Sequence, residues 1–251
     1  MRDFLLNIKR GDTPTGARLR GLARAITKAN LPQPRPVAFL ARGMYQLHFA
    51  VWHAVRRFIS VVYAEPLFRS RCVQAGKRLN VFLLPHVSGH TRIYIGDDVN
   101  IFGKVGIASG RVFDDPTLII KSRVDIGHLV TISVNKEIVI EEECNIANNV
   151  TIADNDAHPR DHILRALGEP PGKHEVKPVH ICRNAWIGAG CYIHKGVTIG
   201  EGAIIGSNSV VVTDIPAFAI AMGNPARVVI KDSRKIESTP SPTADALSQK
   251  P

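Results

Sequence analysis

Acidic residues are scarce in the first third of this 251-residue chain. Residues 1–92 hold 3 Asp/Glu against 16 Lys/Arg, while residues 93–251 hold 19 against 16. The formal net charge of +10 therefore belongs to the N-terminal third alone, and an anionic surface meets the protein there. Cysteine is sparse as well. Cys72, Cys144, Cys182 and Cys191 form no C-x-x-C pair and no repeated spacing, which argues against a disulfide scaffold or a structural zinc site and predicts a reducing compartment. Long apolar runs are also missing. The cluster Phe4-Leu5-Leu6 is far too short for a signal-peptide core. The most apolar stretch, Val37 to Ala64, is broken by Arg42, Arg56 and Arg57, whereas a membrane span needs about 20 consecutive apolar residues. The expected location is cytoplasmic, with contact at the inner face of the membrane as an open reading of the basic segment. No recognition fold or stacking platform accompanies the charge, so nucleic acid is not an expected partner.

What is present is a period of six. At 45% hydrophobic and 22% charged the chain can bury a sizeable core, and isoleucine or valine recurs every six residues in four blocks. These are Ile95, Ile101, Ile107; Ile120, Ile126, Ile132; Ile140, Ile146, Ile152; and Ile181, Ile187, Ile193, Ile199, Ile205, Val211. The position four after each anchor is small or β-branched, as at Val99, Val124, Cys144, Ala185, Cys191 and Ser209. Gly often follows the anchor directly, at Gly96, Gly127, Gly188, Gly200 and Gly206. Six is even, so in an extended chain every anchor keeps one facing, which helical periodicity would not preserve. If the chain turns after each short strand, the anchors stack as ladders inside a coil, with glycines expected at corners that need positive φ. This predicts an all-β fold, a parallel β-helix of about five coils whose apolar side is buried by neighbouring coils. Cys144 and Cys191, at the small inward position, are expected to pack rather than react.

Insertions interrupt the repeat between Ile107 and Ile120 and, at greatest length, from Ala153 to Pro178. A loop of that length without its own repeat points to function. The run Asp154-Asn155-Asp156-Ala157-His158-Pro159, then Lys177-Pro178-Val179, Trp186-Ile187-Gly188-Ala189-Gly190, Lys195-Gly196-Val197-Thr198-Ile199-Gly200 and Gly223-Asn224-Pro225-Ala226-Arg227 resembles the hexapeptide-repeat O-acetyltransferases of maltose, galactosides, nodulation factors and envelope sugars. The resemblance covers about residues 93–231. It implies a left-handed coil, acetyl-CoA as donor, a carbohydrate hydroxyl as acceptor, and a homotrimer with active sites between subunits.

Carried over, His158 falls on the catalytic histidine as general base, a role that suits imidazole because it takes up and releases a proton near neutral pH. Asp156 or Asn155 would orient its ring, or equally close a turn. Contacts to CoA fall on Ala189 and Ser207 through backbone and on Arg227 through its guanidinium fork. Trp186 and Gly188 are carried over with these contacts, Trp186 as a wall of the cofactor groove or equally as a corner aromatic covering the coil end. Val212-Thr213 stands where the family has Thr-Lys, so Thr213 lacks its basic neighbour, with Lys195 or Lys231 as substitutes. The acceptor-binding residues of galactoside acetyltransferases align near Gly127 and Val134, so the acceptor is not expected to be held as in those enzymes. No metal is expected. Three alternatives stand beside this reading: N-acyl transfer to an amino sugar, a γ-carbonic-anhydrase-like zinc enzyme using His128, His158 and His162, and an inactive β-helix scaffold.

The expected organisation is a basic arm over 1–36 with one short helix from Gly16 to Ala29, a helical extension over 37–92, the repeat domain over 93–231, and a disordered tail over 232–251. The extension reads as a helix from Val37 that ends near Pro66, either capping the first coil or lying on an anionic membrane.

Overall fold

The computed structural model describes Leu6, Arg10, residues 13–28 and residues 34–235, and the chain divides after His53 into two units. The expected tail lies largely outside the described residues. In the first unit a helix spans Pro14–Thr27, with Thr13 as N-cap accepting from the Gly16 N–H at 3.1 Å and proline in its first turn. A second helix, Arg35–Ile59, starts in this unit.

The second unit is the parallel β-helix, left-handed as expected, built of three sheets. The first sheet runs through Gln74–Ala75, Arg92–Ile95, Thr117–Ile120, Glu137–Ile140, Val179–Ile181 and Thr198–Ile199. The second passes from Asn80–Val81 to Ile204–Ile205 and closes with the hairpin Ile220–Gly223 and Ala226–Ile230. The third passes from His86–Ser88 to Val210–Val211. Every anchor is buried, and the register stacks anchor on anchor: Ile95 on Ile120, Ile120 on Ile140, Ile140 on Ile181 and Ile181 on Ile199. The inward positions Cys144 and Cys191 are buried as well, and burial pushes the Cys144 thiol up to about 12 and the Cys191 thiol upward too. Neither is a nucleophile in that state.

The coil starts one turn earlier than the isoleucine pattern predicts. Ala75, Val81 and Val87 pair with Ile95, Ile101 and Ile107, which makes six coils and turns residues 74–88 of the expected helical extension into strand. Alanine and valine anchors kept this first coil from standing out. Its open end is covered by residues 60–71. Ser60 Oγ donates to the Val81 carbonyl at 2.6 Å, and Ala64 and Phe68 join the buried core. The helical path does not end near Pro66: a π-helical segment, Ser60–Ala64, leads into a further helix, Glu65–Arg71, with Pro66 in its first turn. There the missing N–H is harmless, and the widened turn before it relieves the ring's clash with the preceding carbonyls.

The role of the glycines also differs from expectation. Positive φ falls three residues after the anchors, at Asp98, Arg123, Glu143, Asn149, Asn184 and Asn208 among others. The glycine next to the anchor serves close stacking instead. Gly96 N–H donates to the Ile120 carbonyl at 2.8 Å, and a Cβ on Gly96 would sit 2.6 Å from Ser122 N and 2.7 Å from Lys121 C. Gly96→Ala is therefore expected to cost about 1–3 kcal/mol. At Gly106 a Cβ would meet nothing within 4 Å, and Gly106→Ala is expected to stay within about 0.5 kcal/mol of the parent. Thermal melts of the two variants check this.

Candidate active site

The long insertion leaves the coil at the end of the third-sheet strand Thr151–Ala153 and re-enters at Val179–Ile181. Its base is held by Asp154, which is fully buried. One carboxylate oxygen accepts from Asn135 N at 2.7 Å and from Asn155 Nδ2 at 2.8 Å, and the other from Lys136 N at 2.6 Å and Glu137 N at 2.9 Å. The Asp154 carbonyl accepts from Lys177 N at 2.9 Å, which joins the exit of the loop to its entrance. Burial pushes this carboxyl up, against the four N–H donors that favour its charged form.

From this base the chain makes a tight turn. Asn155 Nδ2 donates to Ser133 Oγ at 3.1 Å, and its Oδ1 accepts from Ala157 N at 2.8 Å. Ala157 takes positive φ, and His158 N–H donates to the Asp156 carbonyl at 2.8 Å. His158 is thus presented, exposed, at the tip of a backbone turn fixed from below. Asn155 closes the turn, the second of the two roles its sequence context allows.

Asp156 does not engage the His158 ring. Its carboxylate accepts from Lys195 Nζ at 2.5 Å and lies 4.0 Å from Arg160 Nε. Lys195 Nζ also donates to the Glu175 carbonyl at 2.6 Å. This ammonium, mostly buried and doubly held, belongs to the histidine loop rather than to a distant phosphate site. Glu175 receives the backbone N–H groups of Gly172 and Arg160, which hold its carboxyl below the ordinary range. Asp156 and Arg160, two residues either side of His158, line a cleft of about 460 Å³ with His174, Glu175, Lys177, His194, Lys195 and Val212.

The cofactor candidates divide between corners of the coil. Ala189 and Ser207 stack on successive coils, since Ile187 pairs with Ile205, and Asn208 N donates to the Ala189 carbonyl at 2.8 Å. Gly188 lies buried just before them. Buried Ser209 ties this corner to the final hairpin by donating to the Gly206 carbonyl at 2.6 Å and accepting from Gly223 N at 3.0 Å. Gly223 to Ala226 form the hairpin turn, and Arg227 extends from it, exposed. Lys195 and the exposed Thr213 fall at the next corner, beside the histidine loop, because Ile193 pairs with Val211. Trp186, half exposed, lines a separate groove of about 450 Å³ with Asn145, Asn184, Gly202 and Ile204. Among the described residues, the side chains close enough to share a cation are Glu141, His180 and Cys182, a group that includes none of His128, His158 and His162.

Sequence reasoning passed over Asp154, Glu175 and Ser209 as functional supports. Asp154 bonds chiefly to backbone N–H groups 17 to 19 residues earlier, a pairing with no trace in local spacing, and Ser209 takes the Gly223 N–H from the final hairpin.

Residues 178–213 match a family model described as bacterial transferase hexapeptide (six repeats). Galactoside O-acetyltransferase of Escherichia coli (strain K12) is 38% identical over 113 residues, which are 43% of this chain and 54% of that protein, so the chain spans about half the length of this curated relative. Among solved structures, a variant of AntD, an N-acyltransferase from Bacillus cereus in complex with dTDP and coenzyme A, superposes with a TM-score of 0.55 over 68% of this chain and 91% of that one, at 20% identity. Another AntD variant, holding dTDP-4-amino-4,6-dideoxyglucose and coenzyme A, gives the same TM-score at 20% identity, over 68% of this chain and 90% of that one. At that identity the likeness is one of fold. The repeat match over residues 178–213, the stacked six-residue coils and these likenesses make the chain similar in fold to hexapeptide-repeat transferases.

Proposed function

We propose that this protein is an O-acetyltransferase that moves an acetyl group from acetyl-CoA to a hydroxyl of a carbohydrate, a precursor of a polysaccharide or of the cell envelope. The observation that carries the reading is His158, presented at the tip of a turn whose base is pinned by the buried Asp154, beside a cleft large enough for a sugar. In the reaction the imidazole of His158 takes the proton of the acceptor hydroxyl as its oxygen attacks the thioester carbonyl. A C–O bond forms, the C–S bond breaks, and the proton passes to the departing CoA sulfur. The direct transfer needs no covalent nucleophile, which suits two buried cysteines with raised thiols.

Alignment of the two substrates supplies much of the remaining acceleration. The Asp156–Lys195 pair acts on the loop and not on the ring: it holds the cleft wall while the backbone turn aims His158. Donor contacts fall on the Ala189–Ser207 corner and on Arg227, with Trp186, Gly188 and Thr213 alongside. The reading takes a homotrimer in which a neighbouring subunit completes each site, working inside the cell against the inner face of the membrane.

The test is release of CoA thiol from acetyl-CoA in the presence of free sugars, nucleotide-linked sugars and amino sugars, with the product's ester or amide identified by mass spectrometry. An alkali-labile ester is the expected result. An amide on an amino sugar would move the assignment to N-acyl transfer.

A further inference from the structure

No acidic residue occurs from Thr13 to Ala64, a stretch that holds eight Lys/Arg. Within it the helix Arg35–Ile59 carries an apolar stripe along one face, with Phe39 and Phe49 adding apolar surface on the other. Val37, Leu40, Met44, Leu47 and Val51 recur at the three- and four-residue spacing of one helix face. All are exposed, Met44 to 71%, Leu40 and Leu47 each to 64%. Arg42, Gln46 and His53 recur at the same spacing on the opposite face. Tyr45 and Trp52 lie on the border between the faces, and both are exposed. The preceding helix repeats the plan, with exposed Leu19, Leu22 and Ile26 against Arg20 and Arg24. Covering of the coil end is carried out by residues 60–71, joined by Arg57, which donates to Asn80 Oδ1 at 2.6 Å, and by Arg56 over the Phe82 ring.

We infer that the helix Arg35–Ile59 lies in the headgroup region of an anionic membrane, with the Val37–Val51 stripe in the acyl boundary and Arg42 toward lipid phosphates. This deepens the membrane-face part of the proposed function and rests on that reading only for location. Three observations select this occupant. At 25 residues the helix is long enough to span a bilayer but not apolar enough to cross one, so it binds in the plane. Its basic sequence, which holds no Asp or Glu, complements anionic headgroups. Border aromatics fit the depth where one side of the ring is apolar and the other wet. A second copy of the helix fits poorly, because it would set arginine against arginine without a carboxylate, and the apolar arc is wider than a coiled-coil seam.

The test uses the full chain in vesicle flotation, with pure phosphatidylcholine and with phosphatidylcholine and phosphatidylglycerol in equal parts. Flotation with the anionic vesicles only, reversed by high salt, is expected. Leu47→Glu should weaken partition by roughly tenfold or more, and Arg42→Gln by about fivefold, with helix content unchanged by circular dichroism. Thiol release toward a soluble acceptor should be the same in Leu47→Glu as in the parent, so loss of flotation and loss of acyl transfer are read separately. Absence of flotation with anionic vesicles would overturn the inference, as would full flotation of Leu47→Glu. A sedimentation shift with concentration that Leu47→Glu abolishes would give the face to a second copy and overturn it too.

Discussion

His158→Ala is expected to lower kcat for acetyl transfer by about 10²–10⁴-fold, the range typical of a positioned general base, while acetyl-CoA binds as in the parent. The separation follows from the geometry. His158 sits on the histidine loop, whereas the candidate CoA contacts Ala189 and Ser207 stack at another corner of the coil. His158 is exposed, and the turn that presents it is closed by Asn155 Oδ1 and by backbone groups. Removing the ring should therefore shift stability by no more than about 0.5 kcal/mol. Steady-state thiol release beside a thermal melt reads both. A fall in kcat with an unchanged melting temperature fits a base, and a matching fall in melting temperature would mark the histidine as structural.

Asp154 should give the largest effect on stability. In Asp154→Ala, three backbone N–H groups and the Asn155 amide lose their acceptor in a buried corner. At about 1–3 kcal/mol for each unsatisfied buried donor, and allowing for water entering the space, a loss of about 4 kcal/mol is expected. That corresponds to a melting temperature lower by about 10 °C. Asp154→Asn is the more informative variant. It has the same shape, but its amide NH2 must face two N–H donors whichever way it turns. It should fold, melt below the parent and lose kcat, because the corner that aims the His158 turn is loosened, while acetyl-CoA affinity holds. Parent-like melting and kcat in Asp154→Asn would show that the carboxylate neither pins the loop nor positions the histidine.

Much of the coil was legible because a six-residue period writes its facing into the sequence: every isoleucine anchor is buried and stacked as expected. The first coil escaped because Ala75, Val81 and Val87 carry the anchor role with less apolar mass. Pro66 misled because proline in a first turn looks the same in sequence as proline that ends a helix. The glycines were found, but their purpose required knowing that the next coil's backbone passes within 3 Å of their missing side chain.

At the candidate site, the motif singles out the loop that carries His158, yet the support of that loop was not legible. In sequence Lys195 reads as a substitute basic contact to CoA, and only the fold brings it to Asp156, 39 residues away. Asp154 belongs to the same motif, but its main-chain partners lie 17 to 19 residues earlier, which residue types cannot reveal.

The central claim is that the chain binds acetyl-CoA on the coil and uses His158 to deliver the acetyl group. Calorimetric titration of acetyl-CoA and free CoA into the parent and into His158→Ala, followed by thiol release with the sugar panel, tests it most directly. Binding to both proteins with release confined to the parent is the predicted result. Failure of the parent to bind either form of CoA would contradict it.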